Sequence, residues 1–387
     1  MIVKGVKARA IKDSRGKETI EVSVNGQKAS SPSGKSTGTY ETKSYYKSFD
    51  WNINFLNNWK ERVEINKFQD LKKIEKIISK KLGNKNVKEF GANALFAFES
   101  AILKSLASSK NLELWQTINP KARNVPFPVG NAVGGGLHSS SFKGHPDFQE
   151  FLIIPKSNSF SKNVEIMHFI YEEIGKVIKS KKKNDEGAWQ ASKDNGQVLN
   201  IINQIRKKAE NKFGDKIEIG LDVAASSFYK NNKYNYKEIK RNTKEQINHI
   251  EMLVLNQDVF YIEDPFNEED FKSFSIVNKN LKNRLIVGDD LTVTHIDRLK
   301  KAIRNKSING IIIKPNQNGS LIELKEIFNI CKKHGIKTIM SHRSGETLDE
   351  ALADYAFGFG ADYIKCGIST PWREVKLIRM LEIEKLN

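Results

Sequence analysis

Seven short apolar runs, each carrying a polar residue at one end, constrain this 387-residue chain more than any other feature. They are FLIIP (151–155), IEIGLD (217–222), VFYIED (259–264), LIVGDD (285–290), GIIIKP (310–315), KTIMSH (337–342) and ADYIKCG (361–367). Continuous apolar runs of this length suit strands buried on both faces. Helical patterns separate them, such as Ile247, Ile250 and Leu253, or Leu321, Leu324, Ile327 and Phe328. Repeated strand-then-helix units predict a parallel sheet. Asp222, Glu263, Asp289, Lys314, His342 and Lys365 sit at or just past the C-terminal ends of successive runs, spaced by 41, 26, 25, 28 and 23 residues. A closed (β/α)₈ barrel brings six such ends to one mouth. An open doubly wound sheet gathers only those near its switch point, so the barrel is expected.

The chain before the barrel reads differently. In TIEVSV (19–24), Ile20, Val22 and Val24 alternate onto one face, and Asn25-Gly26 signals a hairpin. Leu71, Ile74, Ile77, Ile78 and Leu82 follow at helical spacing, with Gly83 as a C-terminal stop. Residues 92–107 read as a second, buried helix. Strands followed by helices predict an α+β domain over residues 1–120, and the barrel takes residues 121–387. The stretch NVPFPVGNAVGGG (124–136) reads as turns between the two.

Composition narrows the function. Two cysteines exclude a disulfide scaffold and a cysteine-rich zinc domain. No run of about 18 apolar residues predicts a membrane span, and the first residues carry no signal-peptide pattern. A soluble protein of a reducing, cytoplasmic compartment is expected. The net charge of +18 fits either nucleic-acid contact or a solvated lysine-rich face. No nucleic-acid motif accompanies it, so the solvated face is the reading taken.

Asp222, Glu263 and Asp289 are three carboxylates on neighbouring strand ends. Without a cation they would repel one another and resist ionisation. An all-oxygen set suits a hard divalent ion, with Mg²⁺ leading; the alternative is that each caps a helix or pairs with a surface lysine. Lys314 lies on the next strand end. Beside a dication its pKa can fall far enough for general-base work, and Lys365 is one source of further positive charge. Glu150 and Glu186 are earlier acidic residues that, if they share a site, can handle a proton between them, one raising the other's pKa; the alternative is that each is a surface residue, and their case rests on the resemblance below.

These motifs resemble the enolase family over nearly the whole chain. Asp13-Ser14-Arg15-Gly16 is similar to its N-terminal signature, and Pro32-Ser33-Gly34-Lys35-Ser36-Thr37-Gly38 to its mobile serine loop. Gln149-Glu150-Phe151, Asp185-Glu186-Gly187, Gly220-Leu221-Asp222 and Ile262-Glu263-Asp264-Pro265-Phe266 follow in the family's order. Gly288-Asp289-Asp290-Leu291-Thr292-Val293-Thr294, Lys314-Pro315-Asn316-Gln317 and Ser341-His342-Arg343-Ser344-Gly345-Glu346-Thr347 complete the set. The resemblance implies an α/β fold: a modified (β/α)₈ TIM-like barrel, one early strand antiparallel, under an N-terminal α+β cap. It implies a carbon–oxygen lyase, phosphopyruvate hydratase, that dehydrates 2-phosphoglycerate reversibly to phosphoenolpyruvate in glycolysis and gluconeogenesis. By the same resemblance Lys314 is the base, Glu186 the acid assisted by Glu150, and His342 lines the site. Asp222, Glu263 and Asp289 hold a first Mg²⁺, and Ser36 reaches a second. Arg343 and Ser344 bind phosphate, Lys365 the carboxylate, and His138, with His145 as competitor, sits on a lid. A homodimer is the default, with Arg15 near its interface.

Some positions depart from the family pattern. Asn184 and Ala188 flank Asp-Glu-Gly where glycines are usual, Pro315 replaces a valine, and Thr370-Pro371-Trp372-Arg373 replaces Arg-Ser-Glu-Arg. Two other readings compete: a relative acting on another carboxylate, and a non-catalytic binding or scaffold protein. The intact serine loop and Ser341-His342-Arg343-Ser344 speak for a phosphorylated substrate. Retention of both proton-handling and metal residues speaks for catalysis.

Overall fold

The computed structural model describes residues 1–35 and 39–386. A three-stranded antiparallel sheet opens the chain, formed by β1 (Lys7–Lys12), β2 (Glu18–Val24) and β3 (Gln27–Ser30). The β2–β3 turn is Asn25-Gly26, both at positive φ (51° and 87°), as a two-residue hairpin of this twist requires. Ile20, Val22 and Val24 are fully buried. The helix Ala92–Ser109, buried along most of its length, packs against β2 and β3. The helix Leu71–Lys81 ends as expected, with Gly83 at φ 78° just beyond it.

Among the described residues eight strands close a barrel. In order round the ring they are β4 (Phe127–Gly134), β5 (Glu150–Pro155), β7 (Ile217–Asp222), β11 (Val259–Glu263), β12 (Leu285–Gly288), β13 (Gly310–Ile313), β14 (Lys337–Ser341) and β15 (Tyr363–Lys365). The ring shuts where β15 pairs parallel with β4. A short β6 (Trp189–Gln190) adds to β4 outside the ring, and β8 (Tyr229–Lys230), β9 (Lys233–Asn235) and β10 (Lys240–Arg241) make a small separate sheet. Val129, Leu152, Tyr261, Val287, Ile312 and Ile339 fill the barrel's interior as a second core.

Two expectations change. The stretch read as turns contains a barrel strand, β4, despite its prolines. Pro128 pairs only with β15, and β5 joins the far side from Gly130 onward, so no ladder bond on the β5 side needs the missing N–H. The FLIIP run, read from its pattern as one of a parallel set, lies in β5, which runs antiparallel to both neighbours, as the family resemblance implied. Its reversal has a consequence for chemistry. Glu150 begins β5 and therefore lies at the same mouth as the C-terminal ends of the other strands, directly opposite Asp222.

The cap is fastened to that mouth. Ser33 and Gly345 exchange backbone bonds of 2.7 and 2.9 Å, and Lys35 N donates to Ser344 Oγ at 2.8 Å. Arg15 reaches Ser33 Oγ at 2.8 Å and Asp13 at 3.1 Å. Within the chain, Arg15 holds Ser33 and Asp13 together at this junction. A Cβ on Gly345 would lie 2.1 Å from Asp13 Oδ2, so any other residue there would displace the Asp13–Ser33–Arg15 cluster.

Candidate active site

Cross-strand register builds the acidic side of the mouth. Glu150 faces Asp222, and Asp222 in turn faces Glu263, so three carboxylates stand on adjacent strands. Like charges in register destabilise a sheet unless a cation lies between them. Lys365, at the end of β15, supplies one: its Nζ lies 2.7 Å from Glu150, 2.8 Å from Glu263 and 3.7 Å from Asp222. Burial alone would lower the pKa of this lysine, but the carboxylates, led by Glu150, hold it well above the usual range. Burial pushes the Glu263 carboxyl up to about 8, with Asp222 adding to the rise. Glu263 is fully buried, accepts from Tyr261 Oη at 2.6 Å, and meets the cavity only through its neighbours.

Beside this cage lies a second acidic group. Asp264 Oδ1 and Oδ2 accept from the backbone N–H of Asp289 (3.0 Å) and Asp290 (2.6 Å). Carboxylate oxygens of Asp264, Asp289 and Asp290 all fall within 4.8 Å of one another. Burial drives Asp290 up to about 7, with Asp289 next in effect. Asp264, Val293 and Thr294 hold φ of 42°, 43° and 53°, an expensive conformation for the two β-branched residues and one that clusters at functional sites.

Lys314, just past β13, ion-pairs with Asp289 Oδ2. Burial lowers its pKa, but Asp289 outweighs that and leaves it raised. Pro315 is at the first position of the short helix Pro315–Asn318, where a missing N–H is one of the unpaired donors in any case. Lys314 and Glu150 stand on strands four places apart either way round the closed ring of eight, and so face each other across the mouth.

Glu150 and Glu186 behave as a split pair. Burial, Glu186 and Asp222 hold Glu150 well above the carboxylate range against the pull of Lys365. Burial would raise Glu186 too, yet His138 holds it well below. His138 Nδ1 lies 3.5 Å from Glu186 Oε2, and Asn131 Nδ2 donates to the same oxygen at 3.3 Å. His145 is turned away, its ring against Pro146 O at 2.8 Å. Asn184, standing where a glycine was expected, braces the loop, its Oδ1 accepting from Glu186 N and Ala188 N, both at 3.0 Å.

Next to Lys314 are the residues expected to meet phosphate. Arg343 forms a buried bidentate pair with Glu41 at 2.9 and 3.1 Å and donates to Asn316 Oδ1 at 3.1 Å. Among the described residues two of its five N–H groups have no partner and can meet a ligand. Ser344 Oγ is held by Lys35 N. His342 is buried, and burial, with Arg373 and Lys365, keeps its ring well below the usual histidine range, so it is neutral. These side chains line one cavity of about 240 Å³ with Glu150, Glu186, Asp222, Asp289, Lys365 and His138. Ser36 lies outside the described residues.

Comparison with known proteins decides what this constellation belongs to. A family model described as "Enolase, C-terminal TIM barrel domain" matches residues 122–386, and one described as "Enolase, N-terminal domain" matches residues 3–118. The chain belongs to the enolase family. A curated relative named Enolase from Archaeoglobus fulgidus is 33% identical over 100% of this chain and 98% of its own length. One from Methanocorpusculum labreanum is 34% identical over 97% of each chain, and one from Pyrobaculum aerophilum is 38% identical over 78% of this chain and 74% of its own.

Within this enolase-family site, sequence reasoning missed several contributors. Glu41 follows the serine loop by a few residues, but a lone glutamate has no pattern to mark it. Gln149, quoted only as a neighbour of Glu150, donates to Asp222 Oδ2 at 3.2 Å. Asp264 was visible inside its motif and proves to orient the backbone of Asp289 and Asp290. Arg373, noted as a departure, is wholly buried against His342.

Proposed function

We propose that this chain interconverts 2-phosphoglycerate and phosphoenolpyruvate, with Lys314 as the base and the Glu186–Glu150 pair as the acid. One observation carries the reading: an amine and a pair of buried carboxyl groups face each other across one small, charged cavity. Removal of the C2 proton and protonation of the departing hydroxyl need such groups on opposite sides of the substrate. Burial and Glu186 raise Glu150 while His138 lowers Glu186, so of the two carboxyls Glu150 is the one that holds a proton more tightly. Arg343 has two N–H groups to offer a phosphate, Ser344 lies beside it, and Lys365 and His342 line the carboxylate side. His138 steadies Glu186 from the lid.

The donor set fits a hard dication. Among the described residues Asp289 Oδ1 is buried without a partner, and the burial and Asp222 repulsion that raise Glu263 are what a bound cation offsets. Held by Asp222, Glu263 and Asp289, Mg²⁺ would stabilise negative charge on the substrate carboxylate and compete with Lys314 for Asp289. A second ion, reached by Ser36, belongs to the same proposal. So do the division at residues 120/121, a cytoplasmic location and a homodimer. No helix among the described residues is long and apolar enough to cross a membrane. Exposed Leu112, Leu348 and Ile378 flank one groove that a second copy could cover.

The direct test is turnover of 2-phosphoglycerate followed by ultraviolet absorbance of the product. Activity should vanish in EDTA and return with Mg²⁺. No turnover by folded, Mg²⁺-supplied protein would falsify the assignment.

A further inference from the structure

Arg373 lies in the first turn of the helix Pro371–Lys385 and has no exposed surface. Among the described residues no carboxylate pairs with it. A buried cation persists only when its hydrogen bonds are met, and here they are met by the site. Nε donates to His342 Nδ1 at 3.1 Å, and Nη2 donates to the carbonyls of Arg343 (3.3 Å) and Ser344 (3.1 Å). Nη1 reaches Thr370 Oγ1 at 3.3 Å. Three of these four acceptors belong to the segment just past β14 that faces the ligand.

The surrounding backbone is shaped round this side chain. A Cβ on Gly367 would lie 2.6 Å from Arg373 Cδ. The same segment also touches the loop that carries Glu186. A Cβ on Gly187 would lie 2.1 Å from Ser369 O, while Ser369 Oγ donates to Tyr171 Oη at 2.9 Å and Tyr171 Oη donates to Gly187 O at 2.5 Å.

We propose that Arg373 is a positioning residue, fixing His342 as the neutral tautomer with its proton on Nε2 and holding the Arg343–Ser344 backbone in its ligand-ready shape. The role in turnover rests on the function proposed above; the tautomer does not. An arginine never releases its protons and never accepts. Nδ1 of His342 must therefore accept, and a neutral ring carries its single proton on Nε2. The His342 backbone N–H, bonded to Lys365 O at 2.8 Å, anchors the residue from the other side. No single-headed cation can serve the ring and both carbonyls in this geometry. Lysine at 373 should keep one contact, and methionine none.

The test is a long-range ¹H–¹⁵N spectrum of the full-length protein labelled at its seven histidines. His342→Gln identifies the signal. The parent should show a bare Nδ1 and a protonated Nε2 from about pH 6 to 8. Arg373→Met should mix the tautomers and raise KM for 2-phosphoglycerate roughly ten- to hundredfold, more than it lowers kcat, with Arg373→Lys in between. A proton on Nδ1 in the parent overturns the proposal, as does an Arg373→Met protein with unchanged spectrum and KM. If that variant does not fold, the parent spectrum and Arg373→Lys decide. A parent that shows the expected tautomer without turning over 2-phosphoglycerate sinks the proposed function and leaves the tautomer assignment standing.

Discussion

Replacing Glu41 by glutamine separates two effects that meet at Arg343. In the free protein the Glu41–Arg343 pair is almost out of water, with side chains 5% and 4% exposed and two bonds of 2.9 and 3.1 Å. Breaking a buried pair from one side leaves an uncompensated charge and costs about 3–5 kcal/mol. Glutamine retains an acceptor for one N–H, and Asn316 Oδ1 keeps its bond, so the loss should fall near about 3 kcal/mol. Ligand binding should move the other way. A phosphate on the two remaining N–H groups sits beside the Glu41 carboxylate. Two anions roughly 6 Å apart at an effective dielectric of about 20 repel by about 3 kcal/mol before screening. Relief of even half of that tightens phosphate about tenfold. Urea unfolding reads the first effect, and calorimetric titration with inorganic phosphate the second. The variant should be less stable and bind phosphate better. A folded variant that binds phosphate no better than the parent removes Arg343 from the phosphate site.

The remaining expectations are shorter. Lys314→Ala should lose exchange of the C2 proton of 2-phosphoglycerate with solvent. Glu186→Gln should retain that exchange while dehydration falls by about 10²-fold or more; the reverse pattern would interchange acid and base. At the junction of cap and barrel, burial and the neighbouring Glu75 hold the Glu99 carboxyl well above its usual value, while Leu321 N donates to it at 2.7 Å. The folded chain therefore binds a proton that the unfolded chain releases, and stability falls as pH climbs from the ordinary carboxylate range upward. Glu99→Gln should flatten that decline above the ordinary carboxylate range, read from urea midpoints across pH. Equal slopes in parent and variant would refute the account.

Local pattern carried the strand ends because each rests on a short-range regularity: a continuous apolar run, then a polar residue at a turn. It failed at β4, where prolines and glycines imitate a turn unless the partner strands are known. It failed also at the charged contacts that complete the site. Glu41 meets Arg343 across 302 residues and Arg373 meets His342 across 31, and neither carries a periodic signature. Six ionisable ends could be gathered at one mouth by counting strands, yet counting does not say which cation neutralises which anion. Lys365 shows the difference. Its place at a strand end was legible, but its seat among Glu150, Asp222 and Glu263 depends on one strand being reversed, which turns Glu150 toward a mouth it would otherwise face away from. Reversal of that single strand thus joins the acid pair, the carboxylate cage and the amine opposite into one electrostatic unit, and any change that unsettles β5 should disturb all three together.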